Sequence, residues 1–325
     1  MKIAIIGAGM ASSSIVSLLR NNFDISVFEK SRGLGGRMAT RRKDDFSFDH
    51  GTQFFTVKSK EFMKFIAPLI EKKVVKNWNA FYQEIGSEGI ILEKQWKDSD
   101  RHYVGVPAMN SVCKTSLDGI NIYINTKITK LIKTNGKWVL IDDNNNQSEL
   151  FDWVITTNPV EQAFNILPKD ITLRNEIKKI KMKARYTLML GFNNPLKLPF
   201  DVAKIIHNCI SWISVNSSKP GRTGKFSLVI QSTNTFARNN FSTNPNIITD
   251  NLIRVSSNIL KINLNCANHI ELHKWNYADS NLIKFKCYVD PTLKIAACGD
   301  WTINGNVESA FLSGIRTSSQ IEKYA

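Results

Sequence analysis

Groups of glycine and carboxylate residues lie near both ends of the chain, and their types suit the binding of a phosphorylated cofactor. Gly7 and Gly9 follow a short apolar run, where they permit a tight turn and a close approach of the backbone to a pyrophosphate. Glu29 comes 22 residues after Gly7, near the spacing of about 20 at which a carboxylate accepts hydrogen bonds from a ribose. This pattern predicts a dinucleotide site.

The elements that must position these residues follow the order of a βαβ unit. Residues 2–6 predict a strand, residues 10–21 a helix, and Asp24–Phe28 a second strand that ends directly before Glu29. The first helical residues, Met10 and Ala11, would direct their N–H groups and the positive end of the helix dipole towards the phosphates. An ordinary glycine turn in an α/β domain is the alternative, but the ordered elements favour the cofactor.

A second glycine-rich loop follows the acid and narrows the choice of cofactor. It begins after Lys30 and contains Gly36 and Arg37. A simple NAD dehydrogenase does not need this loop. A similar Gly-Gly-Arg segment follows the ribose-binding acid in flavoproteins that have a glutathione-reductase-like FAD domain, where the arginine supplies charge and planar donors. The loop therefore favours FAD, with Lys30, Gly36 and Arg37 among the contacts.

The third motif lies near the C-terminus. Residues 293–298 predict a strand that ends in Gly299 and Asp300, and a helix opens after Gly305. This arrangement is similar to the second FAD motif, in which the aspartate binds the ribityl chain and the helix dipole acts on the flavin. The residues expected to contact the cofactor from this helix are Val307, Glu308 and Ala310.

Composition limits the class of protein. At 325 residues with 42% hydrophobic content the chain is long enough for a large core, and no apolar run reaches the roughly 18 residues that span a bilayer. Five cysteines without a CxxC pair predict reduced thiols, no metal site and a cytoplasmic protein. The net charge of +15 comes with no nucleic-acid-binding motif, so an anionic substrate is the open possibility. The basic stretch 178–183 predicts an amphipathic helix with a solvated face.

The positions of the motifs divide the chain into interleaved parts. The FAD-binding domain is expected to be discontinuous and to comprise residues 1–54, 106–159 and 286–325, and the substrate-binding domain comprises 55–105 and 160–285. Asn135-Gly136 predicts a β-hairpin, and Ile128 in its first strand would pass the adenine edge. The two inserted segments predict a mostly antiparallel sheet that covers the flavin.

Several segments along nearly the whole chain resemble the renalase-type flavoproteins, most closely the bacterial members. These segments are Gly35–Met38, Asp49–Phe55, Val104–Asn110, Ser217–Arg222 and His273–Ala278. Two residues depart from the family pattern, namely Ser12 in place of a glycine and Asn276 in place of an arginine. The second departure leaves the fine substrate specificity open.

The resemblance implies an α/β fold of the p-hydroxybenzoate-hydroxylase type with FAD bound non-covalently. It also implies an oxidase that takes hydride from the 2- or 6-dihydro isomers of NAD(P)H, giving NAD(P)+ and, with O2, hydrogen peroxide. In such flavoproteins Gly51, Thr52 and Gln53 follow the Gly-Gly-Arg loop at a distance typical of flavin contact. The expected partners are therefore a dinucleotide-type small molecule and O2, with no nucleic acid.

Hydride transfer to a flavin needs positioning and driving force rather than a general base, so we assign no catalytic acid or base. We expect a flat apolar slot, and the candidates for its walls are Trp212, His273, Trp275 and Tyr277. Ordinary core aromatics are the alternative interpretation. Lys219 and Arg222 flank a Pro-Gly turn, where they would either contact substrate phosphates or be solvated at the surface.

Three other functions fit parts of the pattern. A flavin amine oxidase would use a similar aromatic cage, and amines rather than dihydronicotinamides would then bleach its flavin. A non-catalytic FAD-binding protein would reoxidise slowly or not at all. A membrane-associated isoprenoid desaturase would need an exposed apolar entry helix, and the sequence shows none of convincing length. The oligomeric state and the choice between NAD and NADP stay open.

Overall fold

The computed structural model describes residues 1–280 and 286–324. Helices and strands are numbered along the chain. The helices are α1 Met10–Leu19, α2 Lys60–Glu71, α3 Ser111–Ser116, α4 Val160–Ile166, α5 Thr172–Ile177, α6 Asn234–Asn239, α7 Pro245–Leu260 and α8 Val307–Ile321. The strands are β1 Lys2–Ile6, β2 Asp24–Phe28, β3 Arg41–Lys43, β4 Phe46–Phe48, β5 Phe55–Thr56, β6 Val75–Asn77, β7 Phe81–Gly86, β8 Gly89–Gln95, β9 His102–Gly105, β10 Asn121–Tyr123, β11 Ile128–Thr134, β12 Lys137–Asp142, β13 Trp153–Thr156, β14 Met182–Phe192, β15 Val202–Ile205, β16 Ile210–Val215, β17 Phe226–Ser232, β18 His269–Ser280, β19 Tyr288–Asp290 and β20 Ile295–Ala297.

A six-stranded, mainly parallel sheet contains the predicted βαβ unit. Its order is β10-β2-β1-β13-β20-β19, and only β19 runs antiparallel to its neighbour. Ile3 and Ile5 of β1 are fully buried, as a strand with neighbours on both sides requires. The predicted strands 2–6 and Asp24–Phe28 have the predicted bounds, and the first helix ends two residues earlier than predicted, at Leu19.

Close packing of α1 on α8 joins the two ends of the chain. A Cβ added to Gly314 of α8 would lie 2.0 Å from Ser14 Oγ and 2.5 Å from Ala11 O of α1. Only a residue without a side chain permits this approach. The N-terminal glycine motif and the C-terminal motif are therefore held next to each other, although they are almost 300 residues apart in the sequence.

A seven-stranded sheet has the order β18-β14-β17-β16-β15-β7-β8, and all of its pairs are antiparallel except β15–β7. One of its faces packs on an apolar cluster that includes Leu188, Leu190 and Ile230 of the sheet and Ile248 and Leu252 of α7. The opposite face is then free to contact the segment after β4. The predicted antiparallel insert is present, whereas the exact domain boundaries stay a prediction.

Two local predictions have different outcomes. The Asn135-Gly136 hairpin is confirmed, since β11 and β12 pair in antiparallel register around it. The amphipathic helix over 178–183 is wrong, because α5 ends at Ile177 and Met182 begins β14. Strand β14 pairs with β17 on one side and β18 on the other, and this long-range pairing outweighs the local helical pattern. No helix within 1–280 and 286–324 is long and apolar enough to cross a bilayer.

Candidate functional site

The turn between β1 and α1 has the geometry of a phosphate-binding loop. Gly7 adopts a φ of 107°, and a Cβ at this position would lie 2.6 Å from Thr157 Oγ1. Gly9 is the N-cap of α1 and makes no side-chain capping bond, so that Met10 and Ala11 open the helix with free N–H groups. The positive φ and the close neighbour require a glycine at position 7, whereas Gly9 has an ordinary extended backbone.

The carboxylate predicted to bind a ribose is held at this turn. Glu29 is 6% exposed, and its two oxygens accept hydrogen bonds from the backbone N–H groups of Ala8 (3.0 Å) and Ser31 (2.8 Å). A carboxylate has about four acceptor sites, so capacity for a hydroxyl donor is left. The neighbouring Lys30 points elsewhere, and its Nζ donates to Gln162 Oε1 at 3.1 Å.

The second glycine loop packs directly on the first. The N–H of Gly35 donates to Ala8 O at 2.8 Å, and a Cβ at Gly36 would lie 3.6 Å from the Cα of Gly9. A side chain at Gly36 would fill the space between the two loops, and one at Gly35 would collide with Asn110 and Met38. The pair of loops forms a backbone-lined cradle, which fits the diphosphate of FAD because α1 directs its N–H groups into the same place.

Arg37 connects the cradle to the C-terminal motif. Its guanidinium forms a two-pronged ion pair with Asp300, which includes a hydrogen bond of 2.8 Å from Nη1 to Oδ2, and Nη1 also donates to Ala278 O at 3.0 Å. Asp300 is 2% exposed and follows Gly299, whose φ is 156°. The sequence predicted both Arg37 and Asp300 as cofactor contacts, and the structure brings them together.

The residues after β4 lie against the same place. The N–H of Thr52 donates to Arg37 O at 2.9 Å, and a Cβ at Gly51 would lie 2.0 Å from that oxygen. Gln53 donates through Nε2 to Asp49 O and to Gly51 O. The predicted flavin-contact segment 51–53 is thus packed on the Gly-Gly-Arg loop.

A buried cluster of charged side chains contacts segment 51–53 through Gln53. Lys219 Nζ lies 3.1 Å from Asp49 Oδ2 and donates to Gln53 Oε1 at 3.2 Å, and Arg222 Nη2 lies 2.5 Å from Asp49 Oδ2. Side chains of Lys219 and Asp49 are 0% exposed and that of Arg222 is 2% exposed. Lys219 and Arg222 are buried and paired with a buried carboxylate. They are therefore neither solvated surface charges nor accessible to substrate phosphates.

Burial and neighbouring charges together set the pKa values of Asp49 and Lys219 in this cluster. Burial alone would raise the pKa of the Asp49 carboxyl, but Lys219 and Arg222 lower it to about 2. Burial lowers the pKa of Lys219 to about 8, although Asp49 opposes that change. The cluster holds two cations and one carboxylate at neutral pH, so it has one net positive charge directly behind segment 51–53.

Two of the four predicted pocket aromatics join a cluster with a residue that the sequence interpretation gave no role. The rings of His273 and Trp275 are 4.4 Å apart, and His50 lies 4.9 Å from His273 and 5.2 Å from Trp275. Trp275 Nε1 donates to His50 O at 2.8 Å. The sequence feature that could have identified His50 as a site residue is its position between Asp49 and Gly51, within the segment Asp49–Phe55. We name His50, His273 and Trp275 the aromatic cluster.

The aromatic cluster is uncharged at neutral pH. Burial lowers the pKa of His50 to about 3 and that of His273 to about 4, and the positive charge of Arg41 acts in the same direction. Arg41 Nη2 lies 3.5 Å from His273 Nδ1, and Arg41 Nη1 forms an ion pair with Glu271. Two neutral imidazoles and an indole suit contact with a flat, uncharged ring.

The other predicted residues lie elsewhere or have structural partners. Trp212 packs with Phe54 and Tyr82 instead of the aromatic cluster, and its Nε1 donates to Ser214 Oγ. Tyr277 lies half-buried on the same strand as Trp275. Ile128 is the first residue of the hairpin strand β11 and is buried. Among the C-terminal residues, Val307 and Ala310 pack against apolar clusters, and Glu308 accepts hydrogen bonds from the N–H groups of Lys58 and Ser59. The described residues contain no metal-ligating group of three or more side chains.

Comparison with known proteins supports the first part of this site. Residues 5–69 match the family model of the NAD(P)-binding Rossmann-like domain. The chain is also similar to 4,4'-diapophytoene desaturases of Staphylococcus aureus, for example those of strains Newman and USA300, with 40% identity over 52 residues. That match spans 16% of this chain and only 10% of the length of those enzymes. The chain therefore matches only a small part of the length of those enzymes.

Solved structures match over the whole length. A protein assigned as a protoporphyrinogen oxidase, from Exiguobacterium sp. 255-15, superimposes with a TM-score of 0.77 over 100% of this chain and 99% of its own, at 11% identity. Putrescine oxidase bound to putrescine gives a TM-score of 0.72 over 99% of both chains, also at 11% identity. At this identity the comparison shows the fold, which is an α/β fold with a Rossmann-like dinucleotide-binding domain.

Proposed function

We propose that this chain is an FAD-dependent oxidase that takes hydride from the 2- or 6-dihydro isomers of NAD(P)H and yields NAD(P)+ and, with O2, hydrogen peroxide. The observation that supports it best is the convergence at one place of the two glycine loops, the Arg37–Asp300 pair and segment 51–53, next to the uncharged aromatic cluster. FAD bound in the cradle would accept the hydride at N5 and return two electrons to O2.

The chain's own residues would bind and orient both molecules. The backbone of Gly7, Gly9 and Gly36 admits a diphosphate, and Glu29 is placed to accept hydrogen bonds from a ribose. Arg37 would exchange part of its ion pair with Asp300 for an anionic or hydroxyl group of the cofactor, because its side chain is 27% exposed. Asp300 would then accept from a sugar hydroxyl.

The aromatic cluster would hold the substrate ring and exclude water. The nicotinamide ring is planar, and Trp275 with two neutral histidines offers flat surfaces together with hydrogen-bonding nitrogens. The transfer regenerates an aromatic pyridinium, so the driving force resides in the substrate. Positioning is then the main task of the protein.

A flavin amine oxidase is the second candidate, since putrescine oxidase has the same fold. A cationic amine needs an anionic or acceptor group that is free to receive it. In the described part of the site Glu271 is paired with Arg41, and Asp279 accepts from Arg185 (2.7 Å) and from Asn234 (2.7 Å). These two carboxylates are thus neutralised, and Asp49 and Asp300 are paired with Lys219, Arg222 and Arg37, which favours an uncharged ring over an ammonium group.

Anaerobic stopped-flow of the purified protein, following the absorption of oxidised flavin, tests the proposal. Rapid bleaching by the 2- and 6-dihydro isomers, and not by 4-dihydro-NADH or a panel of amines, is the expected result. Bleaching by amines alone would replace the proposal with the amine oxidase. Absence of a flavin band, even after FAD is added, would refute the cofactor assignment.

A pair of tryptophan variants makes the test specific for the site. Trp275→Phe removes an indole whose Nε1 donates to a backbone carbonyl in the aromatic cluster, and we expect bleaching to be about tenfold slower, as the loss of one hydrogen bond in the site implies. Trp138→Phe is the matched control, because its Nε1 donates in the same way to Leu293 O under the remote hairpin. Equal slowing in both variants would argue against the site.

A further inference from the structure

A cleft of about 590 Å³ opens between α6 and the ends of β14 and β18. Its walls include Lys183 of β14, Arg238 of α6, Asn276 of β18 and Phe241, which follows α6. Sites for small organic ligands usually measure about 300–1,000 Å³. The cleft is therefore large enough for a molecule the size of a nucleotide.

This cleft is separate from the aromatic cluster. Strand β18 is irregular between Trp275 and Asp279, where its register with β14 shifts. Asn276 lines the cleft, and no residue of the aromatic cluster does. Strand β18 is the outermost strand of its sheet, and the cleft lies on its helix-covered side.

The charge of the cleft walls favours an anion. Lys183 and Arg238 are exposed, and neither forms a salt bridge within residues 1–280 and 286–324. A third cation, Lys274, lies beside the wall, where its Nζ donates to Phe241 O at 2.6 Å. None of the described residues that line the cleft is Asp or Glu. Cations without carboxylate partners attract a compact anion such as a phosphate group.

The remaining wall adds a flat apolar surface. Phe241 is 44% exposed, and Lys274 Nζ lies 3.6 Å from the centre of its ring. Aromatic rings stack on planar bases, and the hydroxyl and amide groups of Thr235 and Asn276 can bind the polar edge of such a base. We propose that this cleft binds a nucleotide, with Lys183 and Arg238 on its phosphates and Phe241 on its base.

Hydrogen bonds connect the cleft to Asp279, whose chain neighbour Ala278 accepts a hydrogen bond from Arg37. Asn234 lines the cleft and donates to Asp279 Oδ2 (2.7 Å) and to Ala184 O (2.9 Å), and Arg185 also donates to Asp279. The nucleotide is either the adenosine-phosphate half of a dinucleotide that passes around β18 or a separate molecule. The first source depends on the function proposed above, and the second does not.

Calorimetric titration of the FAD-loaded protein with ADP, at about 150 mM salt, tests the site. We expect Lys183→Ala and Arg238→Ala each to weaken ADP binding about tenfold, since each removes a charge-assisted hydrogen bond. Phe241→Ala should weaken the binding of ADP but not that of pyrophosphate. The matched control is Lys197→Ala with Arg254→Ala, which removes two exposed cations that do not line the cleft.

Each outcome of this titration decides one point. Equal losses of ADP affinity in the control variants and in the cleft variants would mean that ADP is attracted generally to the net charge of +15, and this would overturn the proposal. Absence of any ADP binding would overturn it as well. ADP that binds through the cleft and competes with the dihydro-dinucleotide identifies the substrate half. ADP that binds without competing identifies a separate nucleotide. Neither binding result depends on turnover, so failure of the proposed oxidase reaction would be seen independently.

Discussion

The buried cluster of Asp49, Lys219 and Arg222 predicts opposite consequences for two substitutions that each remove one charge. In the folded protein the cluster has two cations and one carboxylate, and all three side chains are at most 2% exposed. Asp49→Asn would leave two buried cations without a carboxylate, whereas Lys219→Met would leave a single pair of Arg222 with Asp49. The first change doubles the buried net charge and the second abolishes it.

The magnitudes follow from the cost of an uncompensated buried charge. Removal of one partner of a buried pair destabilises a protein by about 3–5 kcal/mol, and this applies to Asp49→Asn. In Lys219→Met the carboxylate keeps Arg222, and the losses are the hydrogen bonds to Gln53 Oε1 and to Asp49 Oδ2, together about 2 kcal/mol, partly offset because a buried ammonium group is removed. Asp49→Asn should therefore be destabilised by at least about 1 kcal/mol more than Lys219→Met.

The same cluster predicts a dependence of stability on pH. The pKa of Lys219 is lowered to about 8 in the folded state from 10.5 in the unfolded chain, so between these values the unfolded chain binds more protons. The free energy of unfolding should therefore rise as the pH increases from about 8 to 10.5, by about 3 kcal/mol at 1.36 kcal/mol per pKa unit. Lys219→Met should lack this rise.

Urea unfolding followed by circular dichroism at pH 7, 8 and 9.5 measures both effects. The controls are Asp118→Asn and Lys130→Met, which remove the same charges from exposed positions and should change stability by less than about 0.5 kcal/mol. Equal destabilisation by Asp49→Asn and Lys219→Met, or a rise with pH that persists in Lys219→Met, would refute the description of the cluster.

Three further predictions concern the cofactor turn, the helix pair and the histidines. Glu29→Gln should weaken FAD binding about tenfold in a fluorescence titration, because an amide accepts through one oxygen only, while Glu29→Asp should lose less. Gly314→Ala should lower the free energy of unfolding by about 1–3 kcal/mol in urea, since its Cβ would lie 2.0 Å from Ser14 Oγ. Because the pKa of His273 is lowered to about 4, wild-type stability should fall as the pH drops from about 6.5 to 4, and this loss should be smaller in His273→Gln; an equal loss would contradict it.

The sequence was sufficient for features that depend on neighbouring residues. An apolar run followed by Gly7 and Gly9 predicts the strand, turn and helix, because a tight turn and a close backbone approach need residues without side chains. The Asn135-Gly136 hairpin is local in the same way. The helix predicted over 178–183 failed, because pairing of β14 with two distant strands decides the structure there.

Contacts between distant residues were decided by the tertiary structure alone. Arg37 meets Asp300 across 263 residues, and His50 stacks on Trp275 although only Trp275 was a candidate. Lys219 illustrates the limit best, because a lysine in a Pro-Gly turn has the same sequence signal whether it is solvated or buried. Its burial depends on Asp49, 170 residues away, which compensates the charge that would otherwise keep Lys219 in water.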